Sequence, residues 1–226
     1  MRPMLEQSIL AWKWENLQRL HMDVNFDIEE DEEMMNGLPN SIGLVSSLTS
    51  LDLCCQIKGS IPTELGNLSD LQQLSIRQHD FQSTIPSELF ELTKLTSLRV
   101  ERDNLSNIRD QPLHLRGTIP TEIGQLSDTL QVLSFYGAGL ITRPFPSEIQ
   151  HLSRLERLDL TAASRSFQNN QNIRTIPSVL GTLTSLRELR LGKCDEAFCV
   201  EQAMATTSLQ SHEKLRLECH VADSTP

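Results

Sequence analysis

Gly59-Ser60-Ile61-Pro62-Thr63-Glu64-Leu65-Gly66-Asn67-Leu68-Ser69-Asp70-Leu71-Gln72-Gln73-Leu74-Ser75-Ile76 is the stretch whose reading decides the fold. Its last six residues hold the pattern Leu-x-x-Leu-x-apolar, at Leu71, Leu74 and Ile76. Leu74 and Ile76 are two apart, so in an extended chain they point to one side while Ser75 points to the other. Pro62 has a preset φ and no N–H to give to a ladder, so it closes the extended part and opens a short turn or helical segment. Gly66 fits the end of that turn. The stretch therefore reads as one strand and one tight turn.

The same phrase recurs along the chain. The leucine pattern stands at Leu17/Leu20/Met22, Leu48/Leu51/Leu53, Leu71/Leu74/Ile76, Leu95/Leu98/Val100, Leu130/Leu133/Phe135, Leu155/Leu158/Leu160 and Leu186/Leu189/Leu191. An apolar-proline step alternates with it, at Leu38-Pro39, Ile61-Pro62, Ile85-Pro86, Ile119-Pro120, Phe145-Pro146 and Ile176-Pro177. From each proline to the next first leucine there are nine residues, except for ten between Pro120 and Leu130. From the end of each leucine pattern to the next proline the distances are 17, 9, 10, 20, 11 and 17. One half of the unit is rigid and the other carries all the length variation. A coil of this size cannot bury its own apolar side, whereas stacked coils share a continuous core. The expected fold is an α/β solenoid with a parallel β-sheet on one face.

The quoted stretch resembles the plant-type leucine-rich repeat, G-x-I-P-x-x-L-G-x-L-x-x-L-x-x-L-x-L-x-x-N-x-L, and the resemblance covers roughly Leu17 to Leu191. It implies a right-handed curved coil with the parallel sheet on the concave side and short helical or 3-10 turns on the convex side. It also implies protein or peptide recognition on the concave sheet. The chain departs from that pattern where the class expects asparagine, with Asn25, Gln56, His79, Asp103, Ala138, Ala163 and Cys194 in that column. An asparagine ladder between coils is thus mostly missing, and so is the paired-cysteine cap of secreted members.

The organisation that follows is a capping segment over residues 1–16, a solenoid of about seven repeats over 17–193, and a C-terminal cap and tail over 194–226. Trp14, with Trp12, Leu10 and Ile9 near it, takes the place of a partial first coil. Leu215, Leu217 and Cys219 alternate with polar residues and read as an eighth strand. Cys194, Cys199 and Cys219-His220 contain no CxxC knuckle, so neither a zinc site nor any other cofactor is expected.

Side chains between the inward leucines line the open face of the sheet. By rung they are Arg19/His21/Asp23, Ser50/Asp52/Cys54, Gln73/Ser75/Arg77, Ser97/Arg99/Glu101, Val132/Ser134/Tyr136, Arg157/Asp159/Thr161 and Glu188/Arg190/Gly192. At about 4.8 Å per rung this surface spans roughly 30 Å, enough for a peptide or a protein edge. Tyr136, the one tyrosine of the chain, is the expected anchor. Arg77, Arg99, Glu101, Ser75, Asp159 and Arg190 complete the candidate contact set. Arg157 should face Glu188, and Asp159 should face Arg190, as cross-strand pairs of opposite charge.

Long insertions at 23–37, 101–115 and 161–175 all leave the same end of the strands and should project from one edge. The first holds Asp27, Glu29, Glu30, Asp31, Glu32 and Glu33, acids with no base among them. It reads as a solvated loop or a docking edge for a basic partner.

Composition removes other classes. A formal net charge of −10 disfavours binding to phosphate backbones, so nucleic acid is not an expected partner. The longest uncharged stretch, Met34 to Leu51, is interrupted by asparagine, glycine, proline and hydroxyl residues and is no membrane span. Arg2, Glu6, Lys13 and Glu15 interrupt the start, so no secretion signal is expected. The chain reads as cytoplasmic as written, or as extracellular or membrane-attached if it is a piece of a receptor-like protein. No G-x-S-x-G elbow, phosphate loop or HExxH motif occurs. Cys54 with Asp52 and His21 or His79 is the nearest thing to a nucleophile and base, and it has no oxyanion donor. The expected function is therefore non-enzymatic: a monomeric interaction module in signalling or defence. Its alternatives are a receptor-like kinase ectodomain fragment sensing a peptide or glycan, and the repeat region of a cytosolic resistance-type scaffold.

Overall fold

The computed structural model describes residues 14, 16–23, 38–54, 58–77, 80–81, 83–101, 116–136, 140–141, 146–160, 178–193 and 216–220. Each leucine pattern forms a strand of one parallel sheet. The strands are β1 (Arg19–Asp23), β2 (Ser50–Cys54), β4 (Gln73–Arg77), β6 (Ser97–Glu101), β8 (Val132–Ser134), β10 (Arg157–Asp159) and β11 (Glu188–Lys193). The eighth rung is β12 (Arg216–His220), so the sheet has eight strands in chain order. Pairing is in register, for example Leu51 with Leu74, Leu74 with Leu98 and Leu98 with Leu133. One shift interrupts it, between Arg190 and Gly192 where β11 meets β12.

The inward leucines explain the stacking. Residues from Leu38 to Leu189 form a single buried cluster, with Trp14, Leu17, Leu20 and Met22 packed against its first coil. Trp14 is the part of the expected capping segment 1–16 that packs on the core, and residues 1–13 lie outside the described residues. Its carbonyl also accepts hydrogen bonds from the Leu17 N–H at 3.0 Å and the Ser47 hydroxyl at 3.2 Å.

Five prolines open 3-10 turns as expected. Pro39, Pro62, Pro86, Pro120 and Pro146 have φ between −60° and −70° and precede Asn40–Leu44, Thr63–Asn67, Ser87–Glu91, Thr121–Leu126 and Ser147–His151. In each case the proline carbonyl accepts the N–H three residues on, at 3.0–3.3 Å. The ring supplies the entry angle, and its missing donor is one the turn does not need.

Glycine in these turns serves close packing. A Cβ on Gly66 would lie 2.7 Å from the carbonyl oxygen of Glu88 in the next coil. Gly43 meets the Glu64 backbone in the same way, and Gly124 meets Glu148 less tightly, with the nearest atom at 3.1 Å. Hydroxyl groups add a second tie between coils. Thr49 and Thr96 donate to the carbonyls of Gln18 and Gln72, each at 2.9 Å, and Ser153 donates to Ser127 at 3.2 Å. The asparagine column itself lies outside the described residues.

Two short parallel pairs flank the main sheet: β3 (Lys58–Gly59) with β5 (Asp80–Phe81), and β7 (Arg116–Gly117) with β9 (Leu140–Ile141). The sequence reading did not anticipate them. The signal was the glycine that begins the Gly-x-Ile-Pro phrase, since Gly59 and Gly117 hold φ of 89° and 107°, where other residues are strained.

Candidate functional site

The open face is built by register. One column runs Ser50, Gln73, Ser97, Val132, Arg157, Glu188, and the next runs His21, Asp52, Ser75, Arg99, Ser134, Asp159, Arg190. Neighbouring members are adjacent because parallel strands without slippage keep equivalent residues level.

Charge is organised at the two ends. At the first end Asp52 bridges three rungs. Arg77 grips it with two bonds, Nε to Oδ1 at 3.2 Å and Nη2 to Oδ2 at 3.0 Å, while His21 Nδ1 lies 2.9 Å from Oδ2. Burial alone would raise the pKa of Asp52. Hydrogen bonds from Arg77, Ser75 and His21, with the Arg77 charge, outweigh it and hold the carboxyl below its ordinary value. His21 remains largely exposed, with 58% of its side chain accessible.

At the far end the expected pairs form. Arg157 meets Glu188 at 2.6 Å, and Arg190 meets Asp159 at 3.6 Å and Glu188 at 2.7 Å. Glu188 is thus shared by two guanidinium groups, a role the sequence reading missed because it paired residues only along one row. The two carboxylates are nearly enclosed, with side-chain exposures of 14% for Glu188 and 6% for Asp159. Arg190 thus contacts both enclosed carboxylates, and Arg157 contacts Glu188 as well, so neither buried carboxylate lacks a guanidinium beside it.

Between these ends lies a less charged stretch. Arg99 and Glu101 approach at 3.8 Å on one strand. Next to them come Val132 and a buried Ser134. Tyr136 lies just beyond β8, which ends at Ser134, so it sits in the turn at the strand's end rather than on the strand. It is half-buried there.

The expected contact set is therefore sorted by the structure. Ser75 and Arg77 gather on Asp52, Asp159 and Arg190 form one pair, Arg99 and Glu101 another, and Tyr136 stands at the strand ends between them. The acids Asp27, Glu29, Glu30, Asp31, Glu32 and Glu33 lie outside the described residues, as do His79, Thr161, Cys194 and Cys199. Cys54 is 7% exposed and disulfide-bonded, so it is not the accessible thiol that a nucleophile requires. Asp52, its proposed partner, is engaged by Arg77. Among the described residues, no group of three or more His, Cys, Asp or Glu could hold a metal ion, and no helix is long and apolar enough to cross a membrane.

The chain is 27% identical over 191 residues to the TMV resistance protein N of Nicotiana glutinosa, covering 82% of this chain and 14% of that protein. The leucine-rich repeat ectodomain of the Arabidopsis thaliana membrane receptor kinase GASSHO1/SCHENGEN3, solved with CASPARIAN STRIP INTEGRITY FACTOR 2, is 26% identical. It superposes with a TM-score of 0.60 over 80% of this chain and 19% of that one. The ectodomain of the Arabidopsis receptor kinase HAESA, solved with an N-terminally extended IDA peptide hormone, is 27% identical. Its TM-score is 0.52 over 70% of this chain and 24% of that one. This chain thus spans well under a third of each of these proteins. No family model matches it.

Proposed function

We propose that the chain, a leucine-rich repeat protein of the plant-type repeat class, is a non-enzymatic module that recognises a protein or peptide through the open face of its sheet. The observation that carries this reading is the in-register face itself, where consecutive rungs line up side chains of different chemistry over roughly 30 Å. The charged ends are internally paired, so a partner gains little by competing for them. The middle rungs offer Arg99, Glu101, Val132 and Tyr136, and an aromatic beside aliphatic and paired polar groups is the composition of an interface centre. The acidic segment Asp27 to Glu33 would add an edge for a basic partner.

Signalling or defence is the process we assign, supported by the likeness to a virus-resistance protein and to receptor kinase ectodomains. A receptor-like ectodomain piece that senses a peptide outside the cell is the second reading. It is supported by the likeness to the receptor kinase ectodomains. The cytosolic resistance-type scaffold is its alternative. An in-frame secretion signal upstream and an apolar span downstream would select the ectodomain, whereas an upstream nucleotide-binding domain would select the scaffold.

The test is affinity capture from plant extracts with the wild type and a Tyr136→Ala, Arg99→Ala double variant. Loss of one or more partners with the variant is the expected result. An identical set of captured proteins would remove the open-face assignment.

A further inference from the structure

A second surface lies on the flank of the solenoid, away from the open face. Coils 60–63, 83–88 and 117–122, with Pro146, enclose a groove of about 910 Å³. Pro86 and Pro120, lying over the nearly buried Ile61, Ile85 and Ile119, make its wall apolar, and serine and threonine hydroxyls rim it. Glu88 and Glu122 are the charged residues that line it, and no lysine or arginine does so among the described residues. The groove falls where the flanking strands break, since β5 pairs with β3 and β7 with β9, but β5 and β7 do not pair with each other.

The carboxylates form a row. Glu64, Glu88, Glu122 and Glu148 occupy the same place in successive 3-10 turns. Each accepts a hydrogen bond through Oε2 from the hydroxyl one residue earlier, at 3.2–3.4 Å. Among the described residues none of the four is in an ion pair, in contrast to the acids of the open face. An apolar wall beside a row of unneutralised carboxylates is complementary to a chain that carries cations on aliphatic stems.

We propose that this groove docks a segment of a partner protein in which lysine or arginine stands beside aliphatic residues. The carboxylate row would take the cations while the isoleucine-proline wall takes the stems and the aliphatic side chains. The site is separate from the open face, so one chain could hold a ligand on the sheet and a basic partner on the flank together.

The test is fluorescence anisotropy with a labelled, end-capped peptide of repeated Lys-Leu-Gly units, with the matching Glu-Leu-Gly peptide beside it. The basic peptide should bind and the acidic one should not. Glu88→Gln with Glu122→Gln should weaken binding about five- to tenfold, with the loss shrinking as salt rises. Thr118→Trp, which fills the groove without changing charge, should weaken it as well. Glu91→Gln with Asp128→Asn makes the same change in net charge elsewhere and should leave affinity within about twofold. Tyr136→Ala and deletion of residues 27–33 should also leave it, which separates this site from the open face and the acidic loop. Equal loss in the Glu91, Asp128 control, or full binding by either groove variant, would overturn the proposal. So would equal binding of the acidic peptide.

Discussion

Gly66→Ala is the sharpest probe of how closely the coils stack. Its φ is not in the left-handed region, where Gly59 and Gly117 are the described cases, so alanine is tolerated by the backbone. The added Cβ, however, would lie 2.7 Å from the Glu88 carbonyl oxygen and 2.8 Å from the Glu88 Cβ. Both contacts are closer than such atoms approach, and the first involves backbone, so the two coils must separate locally. Overpacking of this kind costs about 1–3 kcal/mol, and the reduced freedom of the unfolded chain returns about 0.4–1 kcal/mol. A net loss of about 1–2 kcal/mol follows, and in a chain of this size each kcal/mol lowers Tm by about 2–4 °C. Gly124→Ala is the built-in comparison, because its nearest contact is the Glu148 Cβ at 3.1 Å with the backbone carbonyl oxygen at 3.7 Å, so a displacement of a few tenths of an ångström relieves it. That variant should fall within about 0.5 kcal/mol of wild type. Urea and thermal unfolding followed by circular dichroism measure both. A Gly66→Ala protein as stable as wild type, or one no less stable than Gly124→Ala, would refute the close-stacking argument.

Other outcomes follow from the paired charges. Asp52 has a depressed pKa, so the stability it contributes is present above its unfolded pKa and is lost as pH falls through its folded value. Asp52→Asn should therefore be less stable than wild type at neutral pH and indistinguishable from it in strong acid, as read from urea midpoints across pH; a constant difference would contradict this. Arg190→Ala leaves the buried Asp159 without its guanidinium and should cost about 3 kcal/mol, whereas Arg187→Ala, whose pair with Glu156 is exposed, should cost less than about 1 kcal/mol. Equal losses in the two would show that enclosure does not set the value of these pairs.

Much of this structure was legible before any coordinates. Leu-x-x-Leu-x-apolar is a local rule that fixes which side chains face inward, and a parallel register then carries it from rung to rung. That is why His21, Asp52, Ser75 and Arg99 could be placed in one row from spacing alone. The Arg157–Glu188 and Arg190–Asp159 pairs followed from the same row logic. Arg77 reaching Asp52 diagonally across strands, and Arg190 reaching Glu188 along its own strand, did not, because sequence spacing does not encode the rotamer of a long guanidinium stem. Tyr136 was assigned to the strand because its alternation is unbroken, yet β8 ends two residues earlier. Burial of Ser134 and Asp159 depends on what neighbouring rungs lay over them, which is tertiary information. The flank groove was equally invisible, since it opens between coils whose side strands do not pair with each other, and that is set by tertiary packing.

The central claim is that successive coils pair in parallel and in register, and one engineered disulfide tests it directly. Gln73 and Ser97 are register partners in β4 and β6, so Gln73→Cys with Ser97→Cys brings two thiols within bonding reach. Mild oxidation followed by peptide mapping should show a bond between positions 73 and 97, and none when Gln73→Cys is combined instead with Val132→Cys one strand farther away. A bond between Gln73→Cys and Glu101→Cys in place of the 73–97 bond would mean antiparallel pairing, and the readable face would not exist.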